Sequence, residues 1–478
     1  MFSQRHGCHQ ATWHAPVRDP IIGLDFIYDA VVGREPDRYL EGSLAAFRQL
    51  GPTYREKRWT WEVVYTCDSR NIKHMLAGSS FGDFALPRLR KMALGALLGH
   101  GIFSLDGAAW AASRAVLRTG LTRMDRGGIM VALERHFEAM MGRMMVPDGD
   151  AEVVSVDLQT LFFRLTMDFA EDFLMGSDQS RCSSAESFLD DYTACSREVV
   201  KRLRLGPLQH LRFNLGAGRA RRRVFRFVDD FIADALARRR DSSQTLLAEL
   251  AAVTKEEEKD GTRLRDQVLH LLLASRDTTA SLLSNLFFVL ARHPELYSRL
   301  REEVLAVVGR EGAVPTGVQL KQMQYLRWCV QESLRLHPPI PTNAREATRD
   351  TTLPHGGGPD GESPLVVPKG IVVMYNVYAL HRDQRVFGCR PDDFVPDRWR
   401  DRRPGWGFLP FSGGPRVCMG QQLALTEVHY IVARMAQTFE TIRGHGERDW
   451  VGMDALATTC RNGVSVTLTR WRRQEKAA

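Results

Sequence analysis

The stretch that most constrains this chain is "DQVLHLLLASRDTTASLLSNLFFVLARHP", residues 266–294. Apolar residues recur along it at intervals of three and four, the period of a helix made to be buried. Its end is predicted at His293–Pro294, because proline forbids continuation. Its middle, "ASRDTTA", is polar where the rest is apolar. A local break in an otherwise consistent pattern marks a functional or strained site.

Helical signals dominate from about 36 to 345. "YLRWCVQESLRLHPPIP" (325–341) is a second helix, stopped by Pro338 and Pro339. The texture then changes. "TTLPHGGGPDGESPLVVPKGIVVMYNVYALH" alternates turn signals with β-branched runs, which predicts two or three short strands joined by a glycine-rich loop. "HGGGPDG" is no phosphate loop, since it lacks the Lys-Ser/Thr pair and no helix follows. A loop over 382–417 leads to a last helix opening near Cys418. The chain has 478 residues, but no repeat or low-complexity linker divides it. The fold class is therefore mainly α with a minor β-sheet region: one domain over 36–478, behind a lead segment over 1–35.

Composition, 44% hydrophobic and 26% charged, excludes general disorder. Eight cysteines (8, 67, 182, 195, 329, 389, 418 and 460) with no C-x-x-C argue against a disulfide framework and for a reducing compartment. The net charge of +8 is densest in "GRARRRVFR", 218–226. A solvated helix face is its plain reading, and an acidic partner or a lipid surface the sharper one. No nucleic-acid motif accompanies it, so no nucleic-acid partner is expected. No window reaches the ~18–20 apolar residues of a membrane span, and the first thirty residues lack a secretory signal. His6, Cys8, His9 and His14 fit no closed zinc spacing.

"FLPFSGGPRVCMGQQLALTE" (408–427) places Cys418 between glycines and ahead of a helical run. Neither a disulfide nor a zinc knuckle uses this arrangement. Free N–H groups at a helix start favour thiolate over thiol. Gly413 and Gly414 permit a tight turn, and Gly420 lets a flat ligand approach the backbone. Arg416 is placed to meet an anion. A buried structural cysteine would leave the glycines, the arginine and the phenylalanine unexplained.

The pattern F-x-x-G-x-R-x-C-x-G, spelled here by Phe411, Gly414, Arg416, Cys418 and Gly420, resembles the haem loop of the cytochrome P-450 superfamily, the haem-thiolate monooxygenases. The resemblance implies the P-450 fold, with haem b between the long central helix and the Cys418 loop, and Cys418 as axial iron ligand. Trp110 and Arg114 in "WAASR" match the family's W-x-x-x-R helix, whose side chains reach a haem propionate; Arg345 in "TNAREA" resembles another propionate partner. Ala274, Ser275, Arg276, Asp277, Thr278 and Thr279 match Ala/Gly-Gly-x-Asp/Glu-Thr-Thr/Ser, with serine in place of the usual glycine. Ala274 then lies beside the haem, and Asp277 and Thr278 become the proton-delivery pair for O–O cleavage. Without the haem loop, "DTT" reads as threonine bonding back to its own helix. Glu332, Arg335 and Arg398 resemble the family's buried Glu-Arg-Arg network, a structural role.

Longer stretches, among them "GIFSLDGAAWAASRAVLR" and "LFFRLTMDFAEDFLMG", look like the fungal n-alkane and fatty-acid hydroxylase branch. The resemblance implies O2 as co-substrate, electrons from NADPH through a cytochrome P-450 reductase, and a small apolar substrate hydroxylated at its chain end. Oxidation of a polyketide or terpenoid in secondary metabolism is the alternative. A haem-thiolate isomerase or peroxide-driven enzyme, and a haem-binding sensor or electron carrier, are the other classes. The branch implies the cytosolic face of the endoplasmic reticulum; the lack of an anchor helix leaves the cytoplasm open. "KRLRLGPLQHLRF" (201–213), basic and apolar together, could lie on a bilayer or pack on its own body.

Overall fold

The computed structural model describes residues 7–11, 13–15, 38–58, 61–123, 126–144, 153–176, 182–237, 246–253, 261–310, 313–446, 449–453 and 455–470. Helix α1 (Tyr39–Leu50) precedes a hairpin of β1 (Thr53–Arg58) and β2 (Trp61–Thr66). Helix α2 (Ser69–Leu76) follows, capped by the Asp68 carboxylate, which accepts from the N–H groups of Arg70 and Asn71. Strand β3 (Phe84–Ala85) leads to α3 (Arg88–Leu98), α4 (Gly107–Arg123) and α5 (Arg126–Met144). After β4 (Val153–Asp157) come α6 (Leu158–Met175), α7 (Cys182–Leu205), α8 (Leu215–Ala237) and α9 (Leu246–Val253).

The long helix, α10, runs Gly261–Leu290, about 45 Å at 1.5 Å per residue. It is buried over nearly its whole second half. Two apolar clusters meet on it. Leu264, Val268, Leu269, Leu272 and Leu273 belong to one, built with α3, α4, α6, α7, α8 and α9. Ala280, Leu282, Leu283 and the run Leu286–Leu290 belong to the other, which it shares with α5, α6, α11 (Pro294–Val308), α12 (Gly317–Gln322) and α13 (Gln324–Leu336). Residues 274–279, the polar break, fall at the seam and join neither cluster. The last helix, α14 (Gln421–Thr438), completes the second cluster.

A five-stranded sheet in the order β1-β2-β8-β5-β3 forms with β5 (Thr342–Ala347) and β8 (Val372–Asn376). The expected glycine-rich loop joins β6 (Thr351–Gly357) to β7 (Ser363–Val367) as a hairpin. Strands β9 (Phe439–Gly444), β10 (Gly452–Met453), β11 (Thr459–Cys460) and β12 (Ser465–Arg470) close the chain, β12 pairing with β4 and β9.

The sheet content exceeds the expectation. The 36–345 region read as helical contains β1, β2, β3, β4 and β5. β1, "TYREKR", carries too much charge to signal a strand alone; pairing with β2 residue by residue makes it one. The described part of the lead segment pairs with the sheets: His9 N–H donates to the Pro364 carbonyl (2.9 Å), and Arg55 N–H to that of Trp13 (3.0 Å). His6 and residues 16–37 lie outside the described residues. The arginines of 218–226 follow the plain reading. Arg222, Arg223 and Arg226 are exposed on α8, and Arg223 pairs with Asp191.

Candidate active site

The turn before α14 is built to present one sulfur. Residues Gly414–Arg416 form a single 3-10 turn, and Cys418 N–H closes back on the Phe411 carbonyl at 3.0 Å. Gly414 has φ +68°, and a Cβ there would meet the Leu76 carbonyl oxygen at 1.9 Å. Only glycine fits both constraints. Gly414 thus packs against α2, and it is not among the residues that line the chamber. Gly420 is on the lining, with nothing within 4 Å of where its Cβ would be.

Cys418 opens onto a chamber of about 1980 Å³. Burial among protein raises its thiol pKa; the N–H of Gly420, the Arg114 guanidinium and the N–H of Gln421 pull it down. Those three groups favour the sulfur as an anion. Ala274, Ser275, Asp277 and Thr278, the seam of α10, line the same chamber. Phe411, Phe103, Leu271, Ile340 and Leu456 contribute apolar walls.

Arginines collect along one side. Arg114 donates from Nη2 to the Val417 carbonyl at 2.9 Å. Arg416 bonds Asp106 Oδ1 at 2.6 Å and lies 4.3 Å over the Trp110 ring. Arg345 bonds the Ala344 carbonyl at 2.8 Å and leaves a buried Nε without a partner. Arg90, which no sequence signal singles out, donates to Asn343 Oδ1 at 2.7 Å. All four line the chamber. Burial, then the charge of Arg345, lowers the Arg90 pKa to about 10. Burial likewise lowers Arg416 to about 10, Asp106 opposing and Arg345, Arg90 and Arg114 adding to it. Mutually repelling guanidiniums in a partly dry site call for an anionic ligand. Planar carboxylates are what their forked donors match. A soft sulfur at one wall, carboxylate receptors at the edge and an open backbone at Gly420 fit a haem and its propionates.

On α10, Asp277 is buried and its pKa is raised by that burial, with Arg276 opposing. Arg276 lies 3.4 Å from Asp277 Oδ1 and reaches Thr193 Oγ1 at 3.2 Å. Thr278 Oγ1 donates to the Ala274 carbonyl at 2.7 Å, and Ser275 Oγ to that of Leu271 at 2.8 Å. Back-bonding of this kind holds both hydroxyls in the helix groove. Their oxygens remain able to accept.

Glu332 and Arg335 form a doubly bonded pair, Nε–Oε2 2.9 Å and Nη2–Oε1 2.8 Å, with both side chains wholly buried. Arg398 Nε adds a bond to Oε1 at 2.8 Å. Trp399 Nε1 completes the carboxylate at 2.9 Å, a partner that spacing alone does not reveal. The network ties α13 to the segment 391–399 and lies off the chamber lining, apart from the chemistry.

The cytochrome P450 family model matches residues 37–456. The chain is 39% identical to the cytochrome P450 monooxygenase himC of Aspergillus japonicus over 98% of its own length and 86% of the relative's. It is 38% identical to fsdH of Fusarium heterosporum, covering 98% and 84%. Cytochrome P450 52A10 of Candida maltosa is 39% identical over 89% of this chain and 86% of that one. The family carries haem b and takes oxygen from O2 and electrons from NADPH through a reductase. A chain matched over nearly all its length by monooxygenases, with a chamber suited to their prosthetic group, belongs to the cytochrome P450 family and is a haem-thiolate oxidoreductase.

Proposed function

We propose that this P450 hydroxylates the end of a long aliphatic or fatty-acyl chain. Balanced, the reaction takes R–CH3, O2, two electrons and two protons to R–CH2OH and H2O. One observation carries the reading: the Cys418 sulfur and the Asp277–Thr278 step of α10 border one apolar chamber. In this reading Cys418 would hold the haem iron through its thiolate, while Trp110, Arg114, Arg345, Arg416 and Arg90 would hold the propionates. The bound haem supplies oxygen activation, which thiolate donation favours. Asp277, held by Arg276 and shielded from bulk water, stores and passes the proton; Thr278 orients it through a hydroxyl fixed on Ala274. The apolar walls exclude water and leave only weak, non-directional contacts with a hydrocarbon.

The chamber volume supports a second reading, internal oxidation of a polyketide or terpenoid. Space of about 1980 Å³ exceeds the ~300–1,000 Å³ of ordinary ligand sites, even with a porphyrin to house. Product analysis with purified enzyme, NADPH and a reductase separates the two. Oxidation at terminal carbons of fatty acids supports the first; oxidation confined to internal carbons of polycyclic substrates removes it.

Among the described residues no helix is long and apolar enough to cross a membrane. The connection between α7 and α8 and the first residue of α8 nevertheless leave Leu211, Phe213 and Leu215 outward at 64%, 90% and 84% exposure. Its other side is packed: Gln209 donates to the Leu89 carbonyl, and Arg212 pairs with Glu198. We read this basic, apolar ridge as the peripheral bilayer contact.

A further inference from the structure

Two walls of the chamber, Ile340 and the Ala455–Ala457 turn, come from segments with no regular structure of their own. What fixes them is Thr458. Its N–H donates to the Pro339 carbonyl at 2.8 Å, joining the two segments. Its carbonyl accepts from Ser281 Oγ at 2.6 Å and Asn285 Nδ2 at 3.2 Å, both on α10. Asn285 Nδ2 also reaches the His337 carbonyl at 3.3 Å, where α13 ends. Its Oδ1 accepts from Trp450 Nε1 at 3.0 Å and from the Cys460 thiol at 3.6 Å. The Trp450 ring in turn packs on His337, centroids 4.2 Å apart.

Asn285, Ser281 and Thr458 are all buried, and Asn285 does not itself line the chamber. An amide has two N–H donors and one carbonyl, and here both ends are committed. Apart from Ser281 and Ser284, its near neighbours on α10 are apolar: Leu282, Leu283 and Leu286. A leucine would serve packing equally; an asparagine with both ends bonded serves position.

We propose that Asn285 is a specificity-determining positioning residue. By holding the Thr458 carbonyl it sets how far Leu456 and Ile340 project into the chamber. That depth selects which carbon of an apolar substrate is presented beside Thr278. The proposal rests on the reading of this chamber as the substrate site.

The test compares wild type with Asn285→Leu, which keeps a similar volume but removes the donor to Thr458 and the acceptor for Trp450. Hydrogen exchange on the purified protein without substrate is the first readout. Amides of 455–458 are expected to exchange roughly tenfold faster, the order of one or two lost hydrogen bonds, with α14 unchanged. Product position from dodecanoic acid is the second, with a terminal-to-subterminal ratio shifted about fivefold or more. Unchanged exchange at 455–458, or faster exchange with an unaltered ratio, overturns the proposal. Should Asn285→Leu fail to fold, Ser281→Ala removes one bond to the same carbonyl, and the same pair of outcomes decides. Should wild type leave dodecanoic acid untouched, the substrate reading fails, and n-alkylimidazoles of increasing length replace the fatty acid. A shift in the best-binding length between wild type and variant then supports the proposal, and an identical length profile overturns it.

Discussion

Arg114 donates its guanidinium N–H to the carbonyl of Val417, the residue immediately before Cys418, at 2.9 Å. One arginine on α4 thereby anchors the sulfur-bearing turn from outside it, while the same side chain faces the chamber. Replacing it with leucine removes a charged hydrogen bond worth ~1.5–3 kcal/mol. Arg114→Leu is expected to lose haem roughly ten- to hundredfold more readily, measured as transfer of the pigment to an excess of apomyoglobin. Retention equal to wild type contradicts the anchoring role.

Glu332 accepts from Arg335, Arg398, Trp399 and the Val395 N–H. Removing one partner strands the others in a dry site, at a cost of ~3–5 kcal/mol. Glu332→Ala and Arg335→Leu are each expected to unfold at clearly lower denaturant than wild type. Their combination should cost less than the sum of the two single changes, because the second removes the charge the first leaves alone. Strict additivity in denaturant unfolding rules out a coupled network.

Asp277→Asn keeps the shape of the side chain and removes the proton. Product formation is expected to fall by ~10²–10⁴, the usual worth of a positioned acid–base group. NADPH consumption should persist, with electrons diverted to peroxide. The ratio of product to NADPH consumed measures this, and a ratio equal to wild type removes Asp277 from proton delivery. Thr278→Ala should lower the same ratio.

Glu427 lies wholly buried on α14 with Oε1 unpartnered, and burial raises its pKa well above the ordinary value. A carboxyl raised in the folded state stays neutral there while the unfolded chain ionises. Its destabilising effect is therefore absent below the unfolded pKa of about 4.3 and grows as pH rises past it. Glu427→Gln should gain stability over wild type between pH 5 and 7 and show no growing difference below pH 4. Thermal unfolding across that range checks it; a difference independent of pH contradicts the assignment.

What could be read from the chain alone followed locality. Cys418, with its glycines and Arg416, lies within ten residues, and Glu332 and Arg335 are one helical turn apart, so spacing exposes them. The polar break in α10 was legible because buried helices rarely carry Asp-Thr-Thr. Arg90 was not, since its partner Asn343 is 253 positions away and nothing near it is unusual. Asn285 and Trp399 were hidden for the same reason: each is an ordinary residue until the fold brings its partners. The missed strands belong here too, because β2 gains its place beside β8 from a pairing across some three hundred residues.

The account stands on sulfur at position 418. Carbon monoxide added to the reduced, haem-loaded protein is the most direct measurement. The Soret band should move to the long-wavelength position that marks a thiolate ligand, and Cys418→Ser should lose it. A band at the shorter wavelength of histidine ligation in correctly folded wild type, or an unchanged red-shifted band in Cys418→Ser, contradicts the account.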